Sequence, residues 1–233
     1  MEKYDVKNIS NHEKLGNKVL YNLCLNYISN AIPENVSAKS WLIGRSYATS
    51  PQRRKNAKKL EIYDFFFERF SKKFVSEKEI CNRIDNLIAQ INKTNLLGEF
   101  DKDKKLILKV MELVSIFNEN VGNTMQKIDN PKDADNINNN ISFTSKYLHF
   151  HCPNNIFIYD SYSFAYARSF MKKYKKEFNT DKIIKDVKDS INDNNISDYI
   201  SHYIRCYFIA TKIFNRIATP REVDNALLSN YFN

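Results

Sequence analysis

The sequence predicts an all-α fold, on three observations. Apolar residues recur at helical spacing along most of the 233 residues. Only 4 Gly and 5 Pro are present, too few turn residues for a chain of short strands. A hydrophobic content of 42% with 13% aromatic is enough to fill a substantial core, as one large domain or two closely packed lobes.

Taken in order, residues 12 to 30 carry Leu15, Val19, Leu20, Leu23, Leu25 and Ile28 on an amphipathic helix closed by Asn30 and a turn at Pro33. Trp41 to Thr49 predict a compact helix broken by Ser50 and Pro51, and a second helix runs on to Phe70. The break is followed by Arg53, Arg54, Lys55, Lys58 and Lys59 with no acid among them. Guanidinium groups beside the free N–H groups of a helix start make a phosphate cradle there. Glu77 to Leu97 and Lys104 to Phe117 give two further amphipathic helices, and the polar, Asn-rich run from Gly122 to Asn140 reads as a long loop or broken link.

Residues 142 to 152 predict a helix with Phe143, Lys146, Tyr147 and Phe150 on one face, so that a lysine sits on an aromatic stripe. Pro153, Asn154 and Asn155 end it, Ile156 to Tyr159 read as extended, and Asp160 caps the next helix, which begins near Tyr162. The helix descends roughly 9 Å from Lys146 to Cys152, and the eight residues that follow can climb back up to about 26 Å. A meeting of Lys146 with Asp160 is therefore allowed. Crowding by aromatic rings removes solvation from an ammonium, lowers its pKa and frees a neutral amine for nucleophilic attack.

The helix after Asp160 continues to Phe178, its lysines Lys172, Lys173, Lys175 and Lys176 complementing the helix dipole. Ser161, Tyr162 and Ser163 in its first turn offer N–H and hydroxyl groups to a phosphate. Asn179 to Asn195 predict a surface helix with loops, and Ile196 to Ile217 a buried one. Thr219, Pro220 and Glu222 spell a capping box for the last helix.

At Lys146 and Asp160 the chain resembles helix-hairpin-helix DNA glycosylases, in particular the 8-oxoguanine DNA glycosylase group and its prokaryotic relatives. In that family a helix-borne lysine is followed by an aspartate at the start of a later helix. The glycine-containing hairpin that usually precedes the lysine is replaced here by SFTS, and the fourteen-position separation is several residues shorter than usual, so the hairpin implied is degenerate. The resemblance implies a two-lobed helical module over residues 1 to 233 that excises a damaged or modified base, 8-oxoguanine or a modified phage base, from double-stranded DNA with a flipped nucleotide. It implies Lys146 as nucleophile and Asp160 as acid, hence Schiff-base chemistry with an abasic-site lyase step. Gln52 or Arg53 would be the wedge that enters the vacated space, with Arg54 and Lys55 on the backbone and further DNA contacts at Ser161, Tyr162 and Ser163. Phe143, Tyr147, His149, Phe150 and Trp41 are the candidate lining of a base pocket.

The net charge of +9 favours a polyanionic partner. Cys24, Cys81, Cys152 and Cys206 are scattered without a CxxC pair, and His149 and His151 point about 200° apart on a helix, so no metal or cofactor is expected. Walker A, GxGxxG and GxSxG motifs are absent, so nucleotide hydrolysis, dinucleotide binding and the usual hydrolase elbow lack support. With no secretory leader and no long apolar run, the expectation is a cytoplasmic monomer. Two other readings remain: a non-catalytic nucleic-acid-binding or defence-associated protein on a glycosylase-like scaffold, and an interaction protein for acidic partners.

Overall fold

The computed structural model describes residues 15–47, 63–128, 140–229 and 231–232. Among them there are helices and no strand. In chain order they are α1 (Leu15–Asn26), α2 (Pro33–Tyr47), α3 (Tyr63–Phe74), α4 (Lys78–Ile91), α5 (Phe100–Ile128), α6 (Ile141–His151) and α7 (Ser161–Met171). A 3₁₀ turn (Lys172–Tyr174) leads to α8 (Lys175–Phe178), α9 (Thr180–Ile191) and α10 (Ser197–Phe208), which runs into a π-helical turn (Ile209–Ile213) before α11 (Pro220–Leu228). None of the described helices is long and apolar enough to cross a membrane.

Several boundaries differ from the expectation for physical reasons. Pro33 does not close the first helix but opens α2 as its first residue, where its missing N–H costs no hydrogen bond. The polar run after Phe117 does not begin a loop at Gly122: α5 continues for 29 residues to Ile128 because Val121, Gly122, Thr124 and Met125 face the interior. The helix that starts at Ser161 stops at Met171 rather than Phe178. Thr219, Pro220 and Glu222 form the capping box of α11.

Packing is organised around α6. It contacts α1, α2 and α5, and all its residues but Ser142 are buried. An apolar stripe is thus the wrong description of α6, which is enclosed all round, as a helix with few charges must be. Phe143 meets Phe70 edge-on at 6.2 Å, Tyr147 lies 4.8 Å from Phe117, and Phe150 lies 4.8 Å from Tyr21. The turn between α1 and α2 is pinned by Asn30, which donates its backbone and side-chain N–H groups to the Asp85 carboxylate and accepts from the Tyr147 hydroxyl at 2.7 Å. On the other side α7 packs on α10 and α11, and α9 lies against α10 and α5.

Between α6 and α7 a turn over residues 153–155 leads into residues 156–160, which join neither a helix nor a strand. Buried carbonyls in such a segment need donors from elsewhere, and side chains of two helices supply them. From α10, Tyr203 donates to the Asn155 carbonyl at 2.9 Å, Tyr199 to Phe157 at 3.1 Å, and His202 Nε2 to Ile158 at 2.8 Å. From α6, His149 Nδ1 donates to Ile156 at 2.7 Å and Lys146 Nζ to Tyr159 at 3.4 Å, while Ser145 Oγ accepts from Tyr159 N at 3.0 Å. Tyr199→Phe removes one donor and strands a buried carbonyl; it should lower unfolding free energy by ~1–3 kcal/mol in urea titrations with unchanged m. A loss too small to measure would mean that the clamp does not hold the segment.

Candidate functional site

Lys146 lies in the middle of α6 and is only 6% exposed. Its amine donates to Ser142 Oγ at 2.7 Å, one turn back, and to the Tyr159 carbonyl, and lies 6.0 Å from the centre of the Tyr47 ring. Both acceptors are neutral, and no carboxylate forms an ion pair with Lys146 among the described residues. Burial pushes the amine below its ordinary value of 10.5, and the charges of Asp160 and then Asp224 work against that shift.

Asp160 follows the clamped segment directly and is the N-cap of α7. Its carboxylate accepts from Ser163 N at 2.8 Å, and Ser163 Oγ accepts from Asp160 N at 3.3 Å, which completes a capping box. The Tyr159 carbonyl that receives the Lys146 proton therefore belongs to the residue next to Asp160. Fixing the extended segment fixes the amine relative to the acid.

A second carboxyl group belongs to this cluster and was not singled out from the sequence. Asp224, on the inner face of α11, is 4% exposed; its Oδ2 accepts from Arg221 Nη1 at 2.9 Å, and its Oδ1 has no hydrogen-bond partner. Burial, reinforced by the Asp160 charge and opposed by Arg221 and Lys146, raises its carboxyl to about 6. Arg221 also reaches Tyr47, at the end of α2, whose phenol burial pushes upward. The signal was in the sequence: a carboxylate interrupts the apolar face of Val223, Ala226 and Leu227.

The other candidate residues separate into several environments. Ser161 and Tyr162 are exposed at the start of α7. Ser163 is fully buried and commits its amide and hydroxyl to the cap, so the phosphate contact expected of this turn narrows to its first two residues. Phe143, Tyr147 and Phe150 are core residues packed on other rings, not the lining of a base pocket, because the faces of α6 that carry them are covered; the helix is less enclosed only at Ser142, which accepts from the Lys146 amine. Trp41 is half-buried in an open groove with Pro33, Ala38 and Leu42, with the Arg45 guanidinium 5.3 Å from its ring. Gln52, Arg53, Arg54 and Lys55 lie outside the described residues.

The histidines are structural in the same sense. Since a carbonyl can only accept, His149 carries its proton on Nδ1, and Nε2 accepts from the Tyr21 hydroxyl at 2.8 Å. Burial lowers it to about 4, so the ring stays neutral with both nitrogens engaged inside the protein, and His149 is a core residue rather than the lining of a base pocket. His151 points elsewhere, donating to the Tyr147 carbonyl and meeting Lys39 Nζ at 3.0 Å. No metal-holding group of His, Cys, Asp and Glu occurs among the described residues.

No family model matches the chain, and neither does any curated protein or solved structure.

The cluster joins an amine short of solvation, a carboxylate on a helix N-terminus and a buried carboxyl that titrates near 6. Such a group can hold a nucleophile, a charge stabiliser and a proton acceptor side by side. The raised Asp224 value has a sign. A folded-state value of about 6 against 3.8 unfolded contributes stability that is present below about pH 4 and lost as the pH rises through 6. Asp224→Asn should therefore melt progressively higher than the parent as the pH goes from 4 to 7, on the order of 1–3 kcal/mol at the upper end. A melting difference that does not change with pH would contradict the assignment.

Proposed function

We propose that this chain is a DNA glycosylase of the helix-hairpin-helix type, which removes a damaged or modified base using Lys146 as nucleophile and Asp160 as the charge that assists it. The observation that carries this reading is the Lys146 amine: a buried lysine satisfied only by neutral acceptors, with the Asp160 carboxylate in electrostatic reach. The net charge of +9 agrees with a nucleic-acid partner.

The chemistry follows from the groups that the cluster brings together. As the N-glycosidic bond breaks, its electron pair leaves with the base, and the positive charge that develops on the sugar is stabilised by the Asp160 carboxylate. The Lys146 amine, in its neutral form, forms the C1′–N bond and gives up a proton; opening of the sugar ring then yields a Schiff base, from which the strand can be cleaved on the 3′ side. Asp224, whose carboxyl exchanges protons near pH 6, is the acceptor on hand for the amine's proton. The competing reading, a non-catalytic nucleic-acid-binding protein on the same scaffold, draws on Asp160 being engaged as a helix cap.

Borohydride trapping separates the two. On duplexes carrying an abasic site or 8-oxoguanine, the wild-type protein should form a covalent adduct. Lys146→Met should form none while melting at the same temperature or higher, because methionine fills the site without a buried ammonium. Asp160→Asn keeps an N-cap and should slow adduct formation by ~10²–10⁴-fold. A wild-type protein that binds duplex DNA but yields no adduct on any of several lesions is the non-catalytic binder.

A further inference from the structure

A second charged feature lies further along α7, where the helix breaks at Met171. Arg168, Lys172, Lys175, Thr180, Asp181 and Arg205 line a cleft of about 190 Å³ between the end of α7, the start of α9 and α10. That is smaller than the ~300–1,000 Å³ that encloses a drug-sized molecule, and it suits one compact group.

The charges in the cleft do not cancel. Lys175 and Asp181 neutralise each other in an ion pair at 2.6 Å. Arg168, Lys172 and Arg205 are left without a carboxylate within 4.0 Å among the described residues, and the Arg205 guanidinium donates to the neutral Ser201 carbonyl at 3.1 Å. Burial, and then the facing Arg168 charge, push Arg205 below its ordinary value, with Asp181 and Asp198 only partly offsetting them. A fold that holds two guanidinium groups in mutual repulsion gains most from an anion between them.

The floor of the cleft supplies hydrogen-bond donors. Thr180 is 3% exposed and is the first residue of the twelve-residue α9. No hydrogen bond among the described residues engages its hydroxyl. The amides of Thr180 and Asp181, ahead of Lys182 whose amide already donates to the Asn179 carbonyl, have no acceptor within their own helix and carry the positive end of its dipole.

We propose that this cleft is a phosphate seat, in which Arg168, Lys172 and Arg205 hold the charge and Thr180 donates from the floor. The group it takes is a tetrahedral phosphate, from a nucleic-acid backbone or free in solution. Arg168 is eight residues beyond Asp160, about 12 Å along α7, or three to four base-pair steps of one strand. The seat is independent of Lys146 chemistry and rests on the nucleic-acid reading only for the source of its phosphate.

The test uses the double variant Arg168→Gln/Lys172→Gln, both side chains being exposed, against Arg83→Gln/Lys105→Gln, which removes the same charge elsewhere. Binding to an undamaged 20-bp duplex is measured by anisotropy over a range of KCl concentrations, and melting with and without inorganic phosphate. A backbone seat predicts that the slope of log K against log salt becomes shallower by about 1 in the first variant and not in the control. Adduct formation at saturating DNA is then unchanged, which distinguishes a lost seat from a failed catalytic reading. A free-phosphate seat predicts an unchanged slope but a phosphate-induced rise in melting temperature that the first variant loses. If the first variant matches the control in both, the proposal is overturned.

Discussion

Five successive carbonyls, from Asn155 to Tyr159, are satisfied by side chains rather than by a neighbouring strand, and the rest of the molecule depends on that arrangement. An extended segment buried in a helical protein has no ladder to join, so each carbonyl left without a donor would cost ~1–3 kcal/mol. Tyr199, His202 and Tyr203 occupy one face of α10, and Ser145, Lys146 and His149 face the segment from α6. The segment is thereby held between two helices, and its own end is tied to α4 through Asn155, which donates to the Ile91 and Thr94 carbonyls.

This clamp positions the cluster at Lys146. Lys146 is one of the donors, Asp160 begins where the clamped segment ends, and α11 brings Asp224 up against α7. A lysine in such a place is unfavourable for folding, because its charged form has lost water and gained only two neutral partners. Asp224 is unfavourable for the same reason, with one carboxylate oxygen unpaired. Two residues that each work against stability, close enough to shift each other's titration, are the pattern expected of a site kept for its chemistry. Lys39 shows that burial alone is not enough: it too is fully buried and lowered, to about 8, but it meets His151 and the Ile28 carbonyl deep among core groups.

The all-helical class, the break after His151, the cap at Asp160 and the capping box before α11 were all legible, because each rests on local rules of periodicity, turn residues and N-cap chemistry. That Asp160 comes within electrostatic reach of Lys146 was legible only as something the chain length permits; the donors that hold the intervening segment come largely from α10, some forty residues downstream, and no local pattern announces them. Burial on all sides of α6 was hidden for a related reason. Ser145, Lys146, His149 and His151 look like a polar face until the tertiary partners of each are known. Asp224 left a weaker trace, a carboxylate set into the apolar face of α11, and its link to Lys146 comes from the packing of α11 on α7.

The central claim is that Lys146 is an amine deprived of solvent and held without an ionic partner. The most direct measurement of it is an NMR titration of the Lys146 side chain, assigned by comparison with Lys146→Met and followed through the ¹³Cε shift from pH 6 to 12. The structure predicts a titration below the ordinary lysine value of 10.5, since burial outweighs the two carboxylates in reach. A midpoint at or above 10.5 would mean that Lys146 is a paired ammonium, and the nucleophile proposed here would be lost.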